Sequence, residues 1–441
     1  MTFLTLIIPY LSHSMSQLGT SVQASAPIQK AVEPQVLYRP TAMPDRVRLT
    51  WNGDPSTTQS VTWRTDDSVT KPIAQIALAD HGPNIELNAK TLTATTEIVQ
   101  SDLGWRSEYH TVTFKELAPK SQMVYRVGDG VNWSEWFHFT TSANKFEPFS
   151  FIYLGDAQNG IRTLWSRVFR RAYVEDTKAK FFLYAGDLIN RSNSDAEWGE
   201  LYAGPAWVNA SVPTIPVSGN HEYAKDASGA QKISNHWRPQ FELPLNGPTG
   251  LEETCYYLDY QGVRFIVLNS TVEQQRQTPW LEDKLKNNPN RWTVVSFHHP
   301  IYSAAARRDN PELRALWKPL FDKYKVDMVL QGHDHTYARN DFKTVKSTVA
   351  NGKEIEGGTM YVVSVSGSKM YDLNAQPWMA RSAENTQLYQ NIKVTWDKID
   401  YEARTATGEL YDAFTIVKRS GQTNRLIDRK PKTPERRAAT K

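Results

Sequence analysis

The chain has 441 residues, which at roughly 150 residues per domain implies two or three domains and enough length to bury a sizeable core. Hydrophobic residues are 40% and charged residues 22% of it, a balance that excludes a disordered chain. A single cysteine, Cys255, excludes an intrachain disulfide framework and a thiolate metal cluster. The net charge of +4 is unevenly spread. Residues 419–441 hold eight Lys/Arg against Asp428 and Glu435, a charge of +6 that leaves −2 for everything before. A nearly neutral body gives no reason to expect specific nucleic-acid binding, and the basic end is expected to be a disordered, solvated tail.

The first 29 residues carry no Lys, Arg, Asp or Glu, Phe3–Leu11 is apolar, and Ala24-Ser25-Ala26 has the small-residue pattern of a cleavage site. Residues 1–26 are therefore expected to be a signal peptide, although the usual basic start is missing, and the protein secreted or periplasmic. Residues 27–43 follow as a linker. No apolar run reaches the ~18–20 residues of a membrane-spanning helix.

From Pro44 to about 142 the chain reads as short alternating strands broken by turns. Val47–Trp51 alternates, Asn52-Gly53-Asp54-Pro55 breaks it, and Val61–Thr65 resumes. Tyr109–Phe114, Met123–Val127 and Trp136–Thr141 follow, a pattern that predicts an antiparallel β-sandwich. No catalytic cluster falls there, so a packing or recognition role is expected.

Beyond Phe149 buried-type strands alternate with helices: Ser150–Leu154, Phe181–Ala185, Pro213–Val217, Trp292–Phe297 and Val326–Leu330 against Thr163–Glu175, Pro279–Asn287 and Pro311–Tyr324. This is an α/β domain. Thr359–Ser364 and Ile392–Tyr401 are read as later strands.

Functional side chains in such a fold gather just past the carboxyl ends of strands. Five ends carry them: Gly155-Asp156, Gly186-Asp187, Gly219-Asn220-His221-Glu222, His298-His299-Pro300 and Gly332-His333-Asp334-His335. Carboxylates, an amide and imidazoles without thiolate suit Fe, Mn, Zn or a similar ion. His333 and His335, two apart at a strand end, are expected on one face, with Asp334 turned away. Two metals about 3.5–4 Å apart clamp a phosphoryl group and activate a water for in-line attack. The expected chemistry is that of a binuclear phosphoesterase.

This ordered set resembles the calcineurin-like metallophosphoesterase superfamily and, within it, the purple acid phosphatases. Pro44–Thr65 (PDRVRLTWNGDPSTTQSVTWRT) is similar to that family's fibronectin type III-like N-terminal domain, Gly332–Arg339 to its last motif, and Gly408–Val417 to its closing segment. The resemblance implies a fibronectin-like sandwich over 44–142 and a metallophosphoesterase domain over 147–418, the latter of two mixed β-sheets packed together and flanked by helices. It implies two metal ions per chain. Asp156 and His335 would hold the first, Asn220, His298 and His333 the second, and Asp187 would bridge them. His221 would stay outside the coordination sphere, bonded to phosphate or protonating the leaving group.

Three departures stand out. The family's tyrosinate position holds Asn190, and the histidine that other superfamily members place after the first Asp is Gln158. Either offers at most a neutral amide to the first metal, which predicts a colourless, divalent centre. Where the family often places histidines beyond His298, this chain has Arg307 and Arg308, candidates to hold phosphate oxygens. His299 is expected to be structural. The substrate expected is a small phosphate monoester, with phosphodiesters or nucleotides as the alternative on the same metals. A noncatalytic binding protein is the reading from another class. Oligomeric state is not legible.

Overall fold

The computed structural model describes residues 31–348 and 352–437; the expected signal peptide lies outside them. Residues 45–140 form two antiparallel four-stranded sheets. One orders Asp45–Thr50, Gln59–Thr65, Arg106–Phe114 and Thr95–Gln100; the other Lys90–Thr93, Ile73–Leu78, Gln122–Gly128 and Phe137–Thr140. Alternation supplies the core between them: Val61, Trp63, Val112, Phe114, Tyr125 and Phe139 point inward and are buried. The outer face of Gln59–Thr65 is buried too, because it is pressed against the second domain. Thr62 Oγ1 donates to Gln240 O at 3.0 Å and Thr50 Oγ1 to Glu242 O at 2.7 Å.

A buried ionic cluster also ties the domains. Asp195 accepts from Arg46 through both carboxylate oxygens at 2.8 Å, and Arg64 Nη1 reaches Asp195 Oδ2 at 3.3 Å. All three side chains are buried. Burial would raise the Asp195 pKa, but the two guanidiniums hold it below the usual carboxylate range.

The second domain packs two seven-stranded mixed sheets face to face. The first runs Thr214–Pro216, Phe182–Tyr184, Phe149–Leu154, Leu388–Val394, Lys398–Thr405, Leu410–Val417, Arg425–Asp428. The second runs Tyr256–Tyr260, Val263–Val267, Trp292–Ser296, Met328–Gln331, Met360–Val363, Tyr337–Asn340, Met379–Ala383. Period two divides each strand's side chains. Phe265, Val294 and Leu330 join Phe151 and Leu183 between the sheets. Ile266, Val295 and Val329 face the helices Gln274–Lys286 and Pro311–Tyr324, against Leu281, Trp317 and Phe321. The parallel strands of both sheets (Phe149–Leu154, Phe182–Tyr184 and Thr214–Pro216; Trp292–Ser296 and Met328–Gln331) deliver the motif-bearing loops. No helix among the described residues is long and apolar enough to cross a membrane.

Three expectations need correction. Ile392–Tyr401 is not one strand but parts of two, Leu388–Val394 and Lys398–Thr405, because Thr395 N donates to Lys398 O at 2.8 Å and closes a tight turn. The helix expected to start at Pro279 starts at Gln274 and carries that proline inside it. The basic end is not a solvated tail as far as residue 437. Arg425–Asp428 adds a strand beside Leu410–Val417, Asp428 accepts from buried Arg339 at 2.9 Å, and Glu435 Oε1 accepts from Ser382 N at 2.7 Å. Its cations find acids on the nearly neutral body: Arg436 lies 2.9 Å from Glu409 and Arg429 3.6 Å from Asp400.

Candidate metal centre

Two triads of ligand atoms converge at the strand ends, each with all its atoms within 4.8 Å of one another. One is Asp156, Asp187 and His335; the other Asp187, His298 and His333. Asp187 belongs to both. Sharp turns bring them together: Asp156, Asp187, His333 and His335 all adopt positive φ, a conformation that costs a non-glycine residue energy and recurs at functional sites. Close approach explains two of the glycines. A Cβ on Gly219 would lie 2.2 Å from Asp187 Oδ1, and one on Gly332 2.4 Å from Asp156 Oδ2.

The imidazoles are oriented from behind. His298 Nδ1 lies 2.8 Å from Ala185 O and His335 Nδ1 2.9 Å from Lys369 O. Donation to those carbonyls puts the proton on Nδ1 and leaves Nε2 as the ligand atom. His298 Nε2 sits 3.0 Å from Asp187 Oδ2, and His335 Nε2 3.7 Å from Asp156 Oδ1. His333 N donates to both oxygens of Asp156, at 3.0 and 2.8 Å.

The electrostatics call for cations. Asp156 and Asp187 are both buried. Burial and the neighbouring Asp187 push the Asp156 carboxyl well above its ordinary range. Burial alone would lower His298, yet the two carboxylates push it up to about 9. A proton there does the compensating work a metal ion would otherwise do. Asn220 Oδ1 is buried without a hydrogen-bond partner among the described residues, an acceptor that a cation would satisfy. The donor set thus fits a pair of metal ions.

His333 and His335 fall in different triads, as the expectation had it, and Asp334 turns away to accept from Ala304 N at 2.6 Å. The reason differs from the one expected. The strand ends at Gln331, and a tight turn with positive φ separates the two imidazoles. Of the two amides, Gln158 lies inside the cluster, its Nε2 2.8 Å from Asp187 Oδ2 and 3.2 Å from His335 Nε2. Asn190 instead lines an adjoining pocket and accepts from His221 Nδ1 at 2.6 Å through its backbone carbonyl. His221 N donates to Asp187 Oδ1 at 2.9 Å, and its Nε2 stands 4.0 Å from Asp187 Oδ2.

Arg308 lies beside the site, its Nη1 3.3 Å from His333 O and its guanidinium 4.6 Å over the ring of Tyr371, which packs on His335. Arg307 is exposed on the same loop. His299 accepts or donates at 2.9 Å with Ser270 Oγ and packs at a tilt against His333, with ring centroids 4.1 Å apart.

Sequence reasoning missed Glu222. It is fully buried, and its carboxylate accepts from Gly219 N at 2.6 Å, Asp187 N at 2.9 Å and Leu188 N at 2.7 Å. It ties the loop of Asp187 to the loop of Asn220. The only signal was its place directly after Asn220-His221.

Residues 44–141 match the family model described as purple acid phosphatase, N-terminal domain, and residues 149–337 the model described as calcineurin-like phosphoesterase. The chain is a purple acid phosphatase-like member of the calcineurin-like phosphoesterases. Human acid phosphatase type 7 is 28% identical over 338 residues, 69% of this chain and 72% of that protein. An Fe(3+)-Zn(2+) purple acid phosphatase 12 of Arabidopsis thaliana is 24% identical over 266 residues, 55% of each. The solved structure of purple acid phosphatase PPD1 from yellow lupin seeds superposes with a TM-score of 0.71 at 21% identity, covering 85% of this chain and 74% of that one. That likeness extends the shared fold across both domains.

Proposed function

We propose that this binuclear metal-dependent phosphoesterase hydrolyses phosphate monoesters. One observation carries the reading of its centre: two triads of ligand atoms, all buried but half-buried His333, that share Asp187. In this reading Asp156, Asp187 and His335 hold the first metal, with Gln158 beside it, and Asp187, Asn220, His298 and His333 hold the second. Two ions held there supply a Lewis-acid clamp on the phosphoryl group and lower the pKa of a bound water.

The chain's own residues do the rest. Asp187 is fixed by two backbone N–H groups, those of His221 and, through Glu222, of Asp187 itself. His221 is held at Nδ1 by Asn190 O, so its Nε2 is the atom that gives a proton to the departing alcohol. Arg308 supplies a fixed positive charge at the rim for phosphoryl oxygens. Asn190 stands where the family's purple members carry a tyrosinate and Gln158 where other members carry a histidine; both are neutral, which favours divalent ions at both positions and a colourless protein. The Arabidopsis relative is named for iron(III) and zinc; here Fe, Mn and Zn are the candidates. Export rests on the uncharged first 29 residues.

Elemental analysis with a visible spectrum on one sample tests the centre, and turnover of a monoester against the diester of the same alcohol tests the substrate. About two metals per chain, no visible band and faster monoester hydrolysis are expected. A strong visible band would overturn the reading that Asn190 leaves the first metal without a tyrosinate. Failure to bind Mn, Zn or Fe would favour a noncatalytic scaffold.

A further inference from the structure

Beside His221 opens a cavity of about 540 Å³. Its wall on one side is the loop Asn190–Ser194, on another Asn220, His221 and Tyr223, and on a third Asp102. Asp102 belongs to the sandwich, in the turn between the strands Thr95–Gln100 and Arg106–Phe114. It is exposed, and its Oδ1 accepts from Asp195 N at 2.9 Å. The residue that pairs with Arg46 and Arg64 across the domain interface thus also fixes this carboxylate at the mouth of the metal centre.

The lining has a single character. Apart from the ring of Tyr223, every side chain in it is a carboxylate, amide, hydroxyl, guanidinium or imidazole, with no aliphatic residue among them. Several are already oriented. Arg191 is tied to Glu197 at 2.8 Å and to Ser194 Oγ at 3.1 Å. Asn193 Oδ1 accepts from Asn235 N at 3.1 Å. Tyr223 OH accepts from Asn269 Nδ2 at 2.5 Å. With Arg191 neutralised by Glu197, Asp102 leaves the pocket slightly negative.

This character bears on what leaves when the ester is cleaved. A substrate whose phosphoryl group meets the metals has its departing oxygen toward His221, and the rest of its alcohol in this cavity. An alkyl or aryl group there would strip water from amides and a carboxylate without replacing the lost hydrogen bonds. A second phosphate would meet Asp102. A neutral alcohol carrying several hydroxyls satisfies the wall, since each hydroxyl both donates and accepts. Resting on the phosphomonoesterase reading, we infer that this pocket, walled by Asp102 of the sandwich, selects a hydroxyl-rich leaving group: a sugar or polyol monophosphate. The sandwich is then part of the substrate site and not only a packing module.

The test uses the full chain loaded with metal and two primary alkyl monophosphates of six carbons, glucose 6-phosphate and n-hexyl phosphate. A kcat/KM at least about tenfold higher for glucose 6-phosphate is expected. Asp102→Ala lowers the ratio of the two kcat/KM values about tenfold, mostly through KM. Asp102→Asn keeps an acceptor for Asp195 N and restores much of that ratio. Equal or better use of hexyl phosphate, or an Asp102→Ala that lowers both substrates in proportion, overturns the inference. Calorimetric binding of the same two esters separates the two readings. Preferential binding of glucose 6-phosphate without hydrolysis sinks the phosphatase reading and keeps the pocket, whereas hydrolysis without preference does the reverse.

Discussion

Gly219→Ala is the smallest perturbation that should disable the metal centre. The added Cβ would stand 2.2 Å from Asp187 Oδ1 and 2.5 Å from Asp187 N, where ordinary contact begins at 3.4 Å. About 1 Å of movement is therefore needed, a displacement that elsewhere costs up to ~10²-fold in rate. Neither contacted atom is free to give. Asp187 N donates to Glu222 Oε2 at 2.9 Å and Oδ1 accepts from His221 N at 2.9 Å. The glycine itself sits in extended backbone, φ −101°, so the substitution introduces no Ramachandran strain and the effect is one of space. The carboxylate shared by the two triads is the part that must move. Metal content by elemental analysis should fall below two per chain and monoester turnover by about 10²-fold or more, with the circular dichroism of the parent retained. Gly82→Ala is the control, since a Cβ there meets nothing within 4 Å; its stability should change by less than about 0.5 kcal/mol. A Gly219→Ala protein with both metals and turnover within about threefold of the parent would refute the close-approach argument.

Asp187→Ala should remove activity and both metals together, whereas His221→Ala should lower kcat by roughly 10²–10⁴ and leave metal content near that of the parent; a metal-free His221→Ala would make that residue a ligand. Asp195→Ala leaves the buried Arg46 and Arg64 without their shared acceptor, and urea unfolding should show a loss of about 3–5 kcal/mol, with a loss under about 1 kcal/mol contradicting the pinning role. Stability should also fall in mild acid. Burial lowers His110 and His236 to about 4 each. The unfolded chain, with histidines near 6.5, takes up those protons first. Their full contribution is present above about pH 6.5 and declines as the pH drops toward 4, by roughly 3 kcal/mol per histidine. Urea unfolding of His110→Gln between these limits should show a shallower slope, and an unchanged slope would mean that His110 is protonated in the folded state.

The ligand loops were legible because their signals are local. A buried β run, a glycine and a metal-ligand residue lie within a few positions of each other, and the parallel strands then do the gathering. His333 and His335 show how an expected placement can arise from a different geometry. Strand periodicity sent both to one face, but the strand stops at Gln331 and positive φ at each histidine does the placing. Glu222 was passed over because its work is to accept backbone N–H groups, two of them 34 and 35 residues away in sequence, and no side-chain pattern announces that. The basic end misled for a related reason. Its composition reads as solvated, while the acids that order it, Asp400 and Glu402 on the strand Lys398–Thr405 and Glu409 in the turn after it, carry no signal that they face this end of the chain.

The domain interface was the least legible feature, and it bears most on substrate. Arg46 and Asp195 are 149 residues apart, and although Arg46 lies within the Pro44–Thr65 segment, nothing in the sequence pairs it with Asp195. A buried ion pair of this kind adds little stability over well-packed apolar side chains, but it is directional. A bidentate guanidinium–carboxylate contact fixes orientation as well as distance. Here the carboxylate of Asp195 fixes the sandwich through Arg46 and Arg64, while its backbone N–H holds Asp102 at the edge of the cavity. An apolar interface of equal area would tolerate sliding, and a slide of 1 Å would carry Asp102 out of hydrogen-bond reach. Replacing Arg46 and Asp195 together by Met and Leu separates the two roles: stability should be nearly retained, while discrimination between glucose 6-phosphate and hexyl phosphate should collapse. Retained discrimination in that double variant would show that packing alone sets the position of the sandwich.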